Sequence, residues 1–148
     1  MLYNRPNLFF KKYSAWSPLF IRLIAGFHLI YGVADNVINP ESMMAFIQFL
    51  NIHHVTYSIA AYVSVYAQLI CGICFILGCF QRTSSLIMII NFAFALIIAH
   101  VGDSYNHMFP ALFMLASSFS LFFSGAGKLS IDQYRNRKFR NKKKHRFN

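Results

Sequence analysis

The sequence predicts an all-α protein: a bundle of four transmembrane helices, both termini inside, with a short outer-face interfacial helix between helices one and two. Three observations carry that expectation. First, 57% of the 148 residues are hydrophobic and 12% are charged, whereas a soluble domain carries about a quarter charged residues. Second, Arg82 is the one Lys or Arg between Arg22 and Lys128, while the remaining basic residues crowd into the two ends. Third, the uncharged runs 42–81, 83–102 and 104–127 are each long enough for one crossing, since about 20 apolar residues span a hydrocarbon core of roughly 30 Å.

Helix one is expected over residues 17–37. Lys11 and Lys12 precede it and Gly32-Val33-Ala34 closes it, a pattern a cleaved secretory signal also shows. Arg22 and His28 lie inside the apolar stretch, however, and its length suffices to span, so it is expected to be retained. Asn39-Pro40-Glu41 then supplies a cap, a first-turn proline and an acidic first turn. The apolar residues that follow, Met43, Phe46, Ile47 and Leu50, recur at three and four, giving one stripe on a helix too short to cross. Helices two, three and four are expected at 57–80, 84–101 and 108–124. Residues 1–132 form one membrane domain in this scheme, and residues 133–148 form a basic tail.

Charge sets the orientation. Arg5, Lys11, Lys12 and Arg22 lie at one end and Arg135 to Arg146 at the other, with Arg82 in the tight turn between helices two and three. The opposite loops hold Asp35, Glu41 and Asp103 without Lys or Arg. Because Lys and Arg are retained on the cytoplasmic side, both termini are expected there. Ser130 and Gln133 make a capping-box pattern, so a helix is expected to restart before the tail. A basic run beside a membrane serves as a topology determinant held against anionic lipid, and no nucleic-acid partner is expected.

Two stretches resemble a known family. Leu77-Gly78-Cys79-Phe80-Gln81-Arg82 is similar to the Leu-Gly-x-x-Thr-Arg turn of the DoxX family. Gly125-Ala126-Gly127-Lys128-Leu129-Ser130-Ile131-Asp132 resembles its closing Gly-Pro-Gly-Arg/Lys-x-Ser-Leu-Asp, and Arg22 with Gly26 resembles its first-helix Arg and Gly. Ala126 departs from the usual proline, and Gln68 stands where a helix-two Glu is expected. The resemblance implies a small four-helix protein of the bacterial inner membrane, and it implies a redox association, because some relatives are subunits of quinone-linked sulfur oxidoreductases or partners of redox stress proteins. Arg22, Arg82, Gly125, Gly127, Lys128, Ser130 and Asp132 are the expected structural and topology residues.

Few polar residues remain inside the bundle. Arg22 lies roughly 7 to 8 Å deep, where its stem can carry the guanidinium back to the interface or hold it in an ion pair. His28 and Gln68 fall at nearly one level, and lipid offers neither a partner. Either they form an interhelical hydrogen bond worth about 1 kcal/mol or less, or they bind a quinone carbonyl, with Phe27, Tyr31 and Tyr66 flanking the ring.

Other chemistries have weaker support. His53, His54, His100, Asp103 and His107, with Asp35, gather at the outer end, and such side chains ligate zinc or copper, but their spacing suits solvated loop residues better. His28 and His100 differ in depth by about six residues, or roughly 9 Å, which does not suit two axial haem ligands. Cys71-Gly72-Ile73-Cys74 is a C-x-x-C, yet it lies in the cytoplasmic half of its helix, where small residues serve close packing. No phosphate loop, nucleophile elbow or His-Glu-x-x-His is present, so no catalytic motif is complete. Two classes remain: a quinone-interacting or accessory subunit of a membrane redox complex, or a non-catalytic scaffold that holds a soluble protein or anionic lipid with its basic tail. A small transporter component stands third, workable as a homo-oligomer.

Overall fold

The structure is a computed structural model that describes residues 13–99 and 101–146. Among them the chain is helical throughout, without strands. A short 3₁₀ turn, Ser14–Trp16, leads into α1 (Ser17–Ile38), followed by α2 (Pro40–Ile52), α3 (Ser58–Leu77), α4 (Gln81–Phe94), α5 (Tyr105–Ser124) and α6 (Ile131–Arg146). A π-helical turn, Ala95–Ala99, extends α4. Four segments are long and apolar enough to cross a membrane: Ser14–Ile38, Ser58–Leu77, Gln81–Ala99 and Tyr105–Ser124.

Local chemistry sets the breaks between helices. Asn39 is extended and accepts the Glu41 N–H at 3.0 Å, so one residue ends α1 and caps α2, with Pro40 in the first turn. α2 ends on His54, whose φ of 65° places it in the left-handed region. The N–H of His54 reaches the Asn51 carbonyl and that of Val55 reaches Leu50, the paired closure that usually employs glycine. Gly78, also at φ 65°, closes α3 in the same way, with Cys79 N–H on the Cys74 carbonyl at 3.1 Å.

α1 packs chiefly on α3, and α4 chiefly on α5. The first pair is close because two glycines meet: a Cβ on Gly26 would lie 2.8 Å from the Gly72 carbonyl oxygen. Small residues at a crossing let membrane helices approach, and dispersion then replaces the hydrophobic drive that lipid removes. Ala25, Leu29, Cys71, Phe75, Met88, Met114 and Leu121 form the central core. Val33, Met43, Ala61 and Val65 form a second cluster, against which Phe46, Ile47 and Leu50 of α2 lie. The apolar stripe of α2 thus faces the bundle.

One end of the bundle is tied by the segment after α5. Lys128 N–H donates to the Ala15 carbonyl at 2.9 Å and Asp132 N–H to the Gly78 carbonyl at 3.1 Å. The Asp132 carboxylate accepts the N–H groups of Phe80 at 3.0 Å and Gln81 at 2.9 Å. That distant cap starts α4 at Gln81, three residues ahead of the expected position. Ser130 accepts the Gln133 N–H at 3.2 Å and so caps α6, as its spacing suggests. The start of α1, the Arg82 turn and α6 therefore share one end of the bundle, and Asp35, Glu41 and Asp103 lie at the other.

Arg22 is buried beneath the closing segment. Its side chain is 1% exposed, and Nη2 donates to the carbonyls of Leu129 and, at 3.4 Å, Lys128. The closing segment folds over the guanidinium tip and offers it backbone oxygens. Lys128 in turn lies 5.4 Å from the Trp16 ring centre, a cation–π distance.

Candidate functional site

The middle of α3 carries Ser64 and Gln68 one helical turn apart, so both project toward α4. Asn91 meets them there. Gln68 Nε2 donates to Ser64 Oγ at 3.1 Å, and the Ser64 hydroxyl donates to Asn91 Oδ1 at 2.9 Å. This three-residue chain satisfies polar groups that lipid would leave unpaired. It also leaves capacity over: each amide has two N–H donors, and the Asn91 oxygen, not its nitrogen, is taken by the serine.

The chain lines a cavity of about 510 Å³ bounded by α2, α3, α4 and the π-helical turn. Ser64, Gln68 and Asn91 are the polar residues of its wall; the remainder is apolar, including Phe46, Phe49, Phe92 and Phe94. An apolar chamber of this size with a few convergent polar groups is the usual form of a small-molecule site. The wall holds no charged side chain, so the chamber suits a neutral ligand. Ala95, Ile98 and Ala99 of the π-helical turn complete it, and such turns recur at functional sites.

Gln68 also lines a second cavity, of about 250 Å³, on the side of α1 and α5. His28, Gly32, His107 and Pro110 are among its other walls. Proline at 110 removes the helical donor for the Asn106 carbonyl, which adds an acceptor on this side of α5. Gln68 therefore stands in the partition between two chambers, one apolar apart from Ser64 and the two amides and one holding two imidazoles.

The expected residues separate accordingly. His28 and Gln68 come together at the smaller cavity. Phe27 and Tyr31 stack on each other at 6.1 Å and are 67% and 73% exposed, and Tyr66 is exposed too. These three rings lie on exposed faces of their helices and do not line the smaller cavity. Ser64, Asn91 and His107 were not anticipated as partners. The i, i+4 spacing of Ser64 and Gln68, and the isolation of Asn91 inside an uncharged run, are the signals that mark two of them.

Among the described residues no three His, Cys, Asp or Glu side chains gather as a metal site. His53 engages the Phe49 carbonyl at 2.8 Å and tilts over the Phe49 ring, while His54 ends α2. His107 faces the smaller cavity, and His100 lies outside the described residues. The three cysteines are free: Cys71 is buried in the core, and Cys74 and Cys79 are half-buried. Burial pushes the Cys79 thiol up, and the adjacent Cys74 thiol and Asp132 carboxylate act in the same direction.

No curated protein and no solved structure matches the chain. The family model described as DoxX matches residues 17–101, more than half of the sequence. That range takes in α1 with Arg22, the Gly26–Gly72 crossing, the Gly78 turn and every residue of the Ser64–Gln68–Asn91 chain. It stops ahead of the closing Gly125–Asp132 segment. With four apolar helices long enough to span and that match over the first three, the chain belongs to the DoxX family of integral membrane proteins.

Proposed function

We propose that this protein binds a quinone within the membrane, as an accessory subunit of a membrane redox complex, with both termini on the cytoplasmic side. The observation that carries the reading is the 510 Å³ apolar chamber whose polar atoms are confined to Ser64, Gln68 and Asn91. A quinone is a flat, uncharged ring with two carbonyl acceptors and an apolar tail. The spare N–H donors of Gln68 and Asn91 suit the carbonyls, and the phenylalanines suit the ring. The basic residues at the end shared by Arg82 and α6 support the orientation.

The chamber offers positioning rather than proton transfer, since neither amide titrates. His28 and His107 lie across Gln68 in the second cavity. That arrangement fits an accessory binding role, with electrons supplied by a partner subunit.

Purification from native membranes in mild detergent, followed by lipid extraction and chromatography with mass detection, tests the reading. Quinone is expected near one per chain in the wild type, reduced at least fivefold in Q68L/N91L and retained in H28F. Quinone no higher than in an unrelated membrane protein of the same size, or unchanged in Q68L/N91L, overturns it.

A further inference from the structure

The end of the bundle opposite Asp35, Glu41 and Asp103 holds a cavity of about 850 Å³ that the quinone reading does not use. It lies between the first turn of α4, the Gly125–Gly127 turn and one face of α6. Gln133, Asn136, Arg137 and Arg140 recur at three and four along α6, so one largely exposed face of that helix lines the cavity. Arg82 and Arg135 complete a set of four guanidinium groups in one wall system.

The balance of charge here is one-sided. Asp35, Glu41 and Asp103 are at the far end, which leaves Asp132 as the acid of this end. Asp132 lines the cavity too, with its oxygens accepting the N–H groups of Phe80 and Gln81, and one carboxylate leaves the four arginines in excess. Arg135 sits 5.2 Å over the Phe80 ring, which holds its planar head at the cavity while leaving its N–H edges free. The next first-turn N–H groups of α4, those of Arg82 and Thr83, have no intrahelical acceptor and lie in the same wall.

Four guanidinium groups and free helix N–H groups around one polar cavity are the chemistry of a phosphate site, because the guanidinium fork matches paired phosphate oxygens. Depth agrees: Gln81 begins a membrane span, so the cavity lies at headgroup level. We infer that this cavity binds a phosphate group. A phospholipid headgroup and a soluble phosphate share that chemistry.

Titration of the purified full chain in an uncharged detergent separates the sources. One probe is sodium phosphate and the other is short-chain phosphatidylglycerol. Binding of one equivalent of either is expected. R137Q/R140Q weakens it at least tenfold, whereas K128Q/K138Q, which removes the same charge from side chains outside the cavity, weakens it less than threefold. R82Q, on the opposite wall, is the second variant and lowers affinity at least fivefold. Binding of the lipid alone assigns a headgroup site, and binding of inorganic phosphate assigns a soluble ligand. Absence of binding by both probes, or equal loss in the two double variants, overturns the inference. The quinone content of R137Q/R140Q stays at the wild-type level, which keeps this test separate from that of the apolar chamber.

Discussion

Arg22 and Gly78 are locked together: a Cβ added to Gly78 would overlap the Arg22 guanidinium and lie 2.6 Å from Ser130 Cβ. Arg22 in turn holds the Leu129 and Lys128 carbonyls. The two residues are 56 positions apart, and they join α1, the α3–α4 turn and the closing segment at one point.

Replacing Gly78 by alanine combines a positive φ with that overlap, so G78A is expected to destabilise by about 3 kcal/mol or more. R22A leaves backbone oxygens unpaired and costs about 1–3 kcal/mol. Because R22A removes the atoms that clash, the double variant is expected to be less unstable than the sum. Thermal unfolding of the four proteins in one detergent checks the cycle, and strict additivity would contradict the contact.

Two glycines of α1 are expected to behave oppositely. G26A pushes a methyl group to within 2.8 Å of the Gly72 oxygen, forcing α1 from α3 at a cost of about 1–3 kcal/mol. G32A meets nothing within 4 Å and gains up to about 1 kcal/mol of helix preference. A lower midpoint for G26A beside an equal or higher one for G32A is the expected result.

Cys79 carries the pH prediction. The thiolate is the nucleophile, and burial with its neighbours raises the pKa of this thiol, so it stays protonated where a free cysteine, with a pKa of about 8.5, already ionises. Its alkylation by iodoacetamide is expected to be slower than that of free cysteine at pH 8, and to go on rising with pH after the free thiol has levelled. D132N removes one of the raising influences, and peptide mapping should show its rate profile moved to lower pH.

Asn91 separates binding from stability. Its bond with Ser64 crosses from α4 to α3, and such bonds within a membrane average about 0.6 kcal/mol. N91L is therefore expected to lower stability by about 1 kcal/mol or less while lowering quinone retention severalfold. A large fall in the unfolding midpoint would assign Asn91 a structural role instead.

The helices were legible because hydropathy and length act locally. Asn39-Pro40-Glu41 predicts its cap without any tertiary knowledge, and the Ser130/Gln133 pair predicts the start of α6 in the same way. Gln81 as the start of α4 was not legible, since its cap comes from Asp132 on another segment. Facing was not legible either: depth follows from counting residues, but whether Phe27, Tyr31 and Tyr66 turn toward His28 depends on which sides of α1 and α3 meet, and all three rings are exposed. Gly26 and Gly72 decide which sides meet.

By itself the sequence determined four spans and the family, since apolar length and short motifs need no knowledge of neighbours. Tertiary structure alone decided which polar residues meet. It set Gln68 with Ser64 and Asn91 between two chambers, buried Arg22 against backbone oxygens, and gathered arginines from α4 and α6 around one cavity. Those outcomes depend on helix rotation and on contacts between distant segments, and neither is encoded in the local pattern of any one helix.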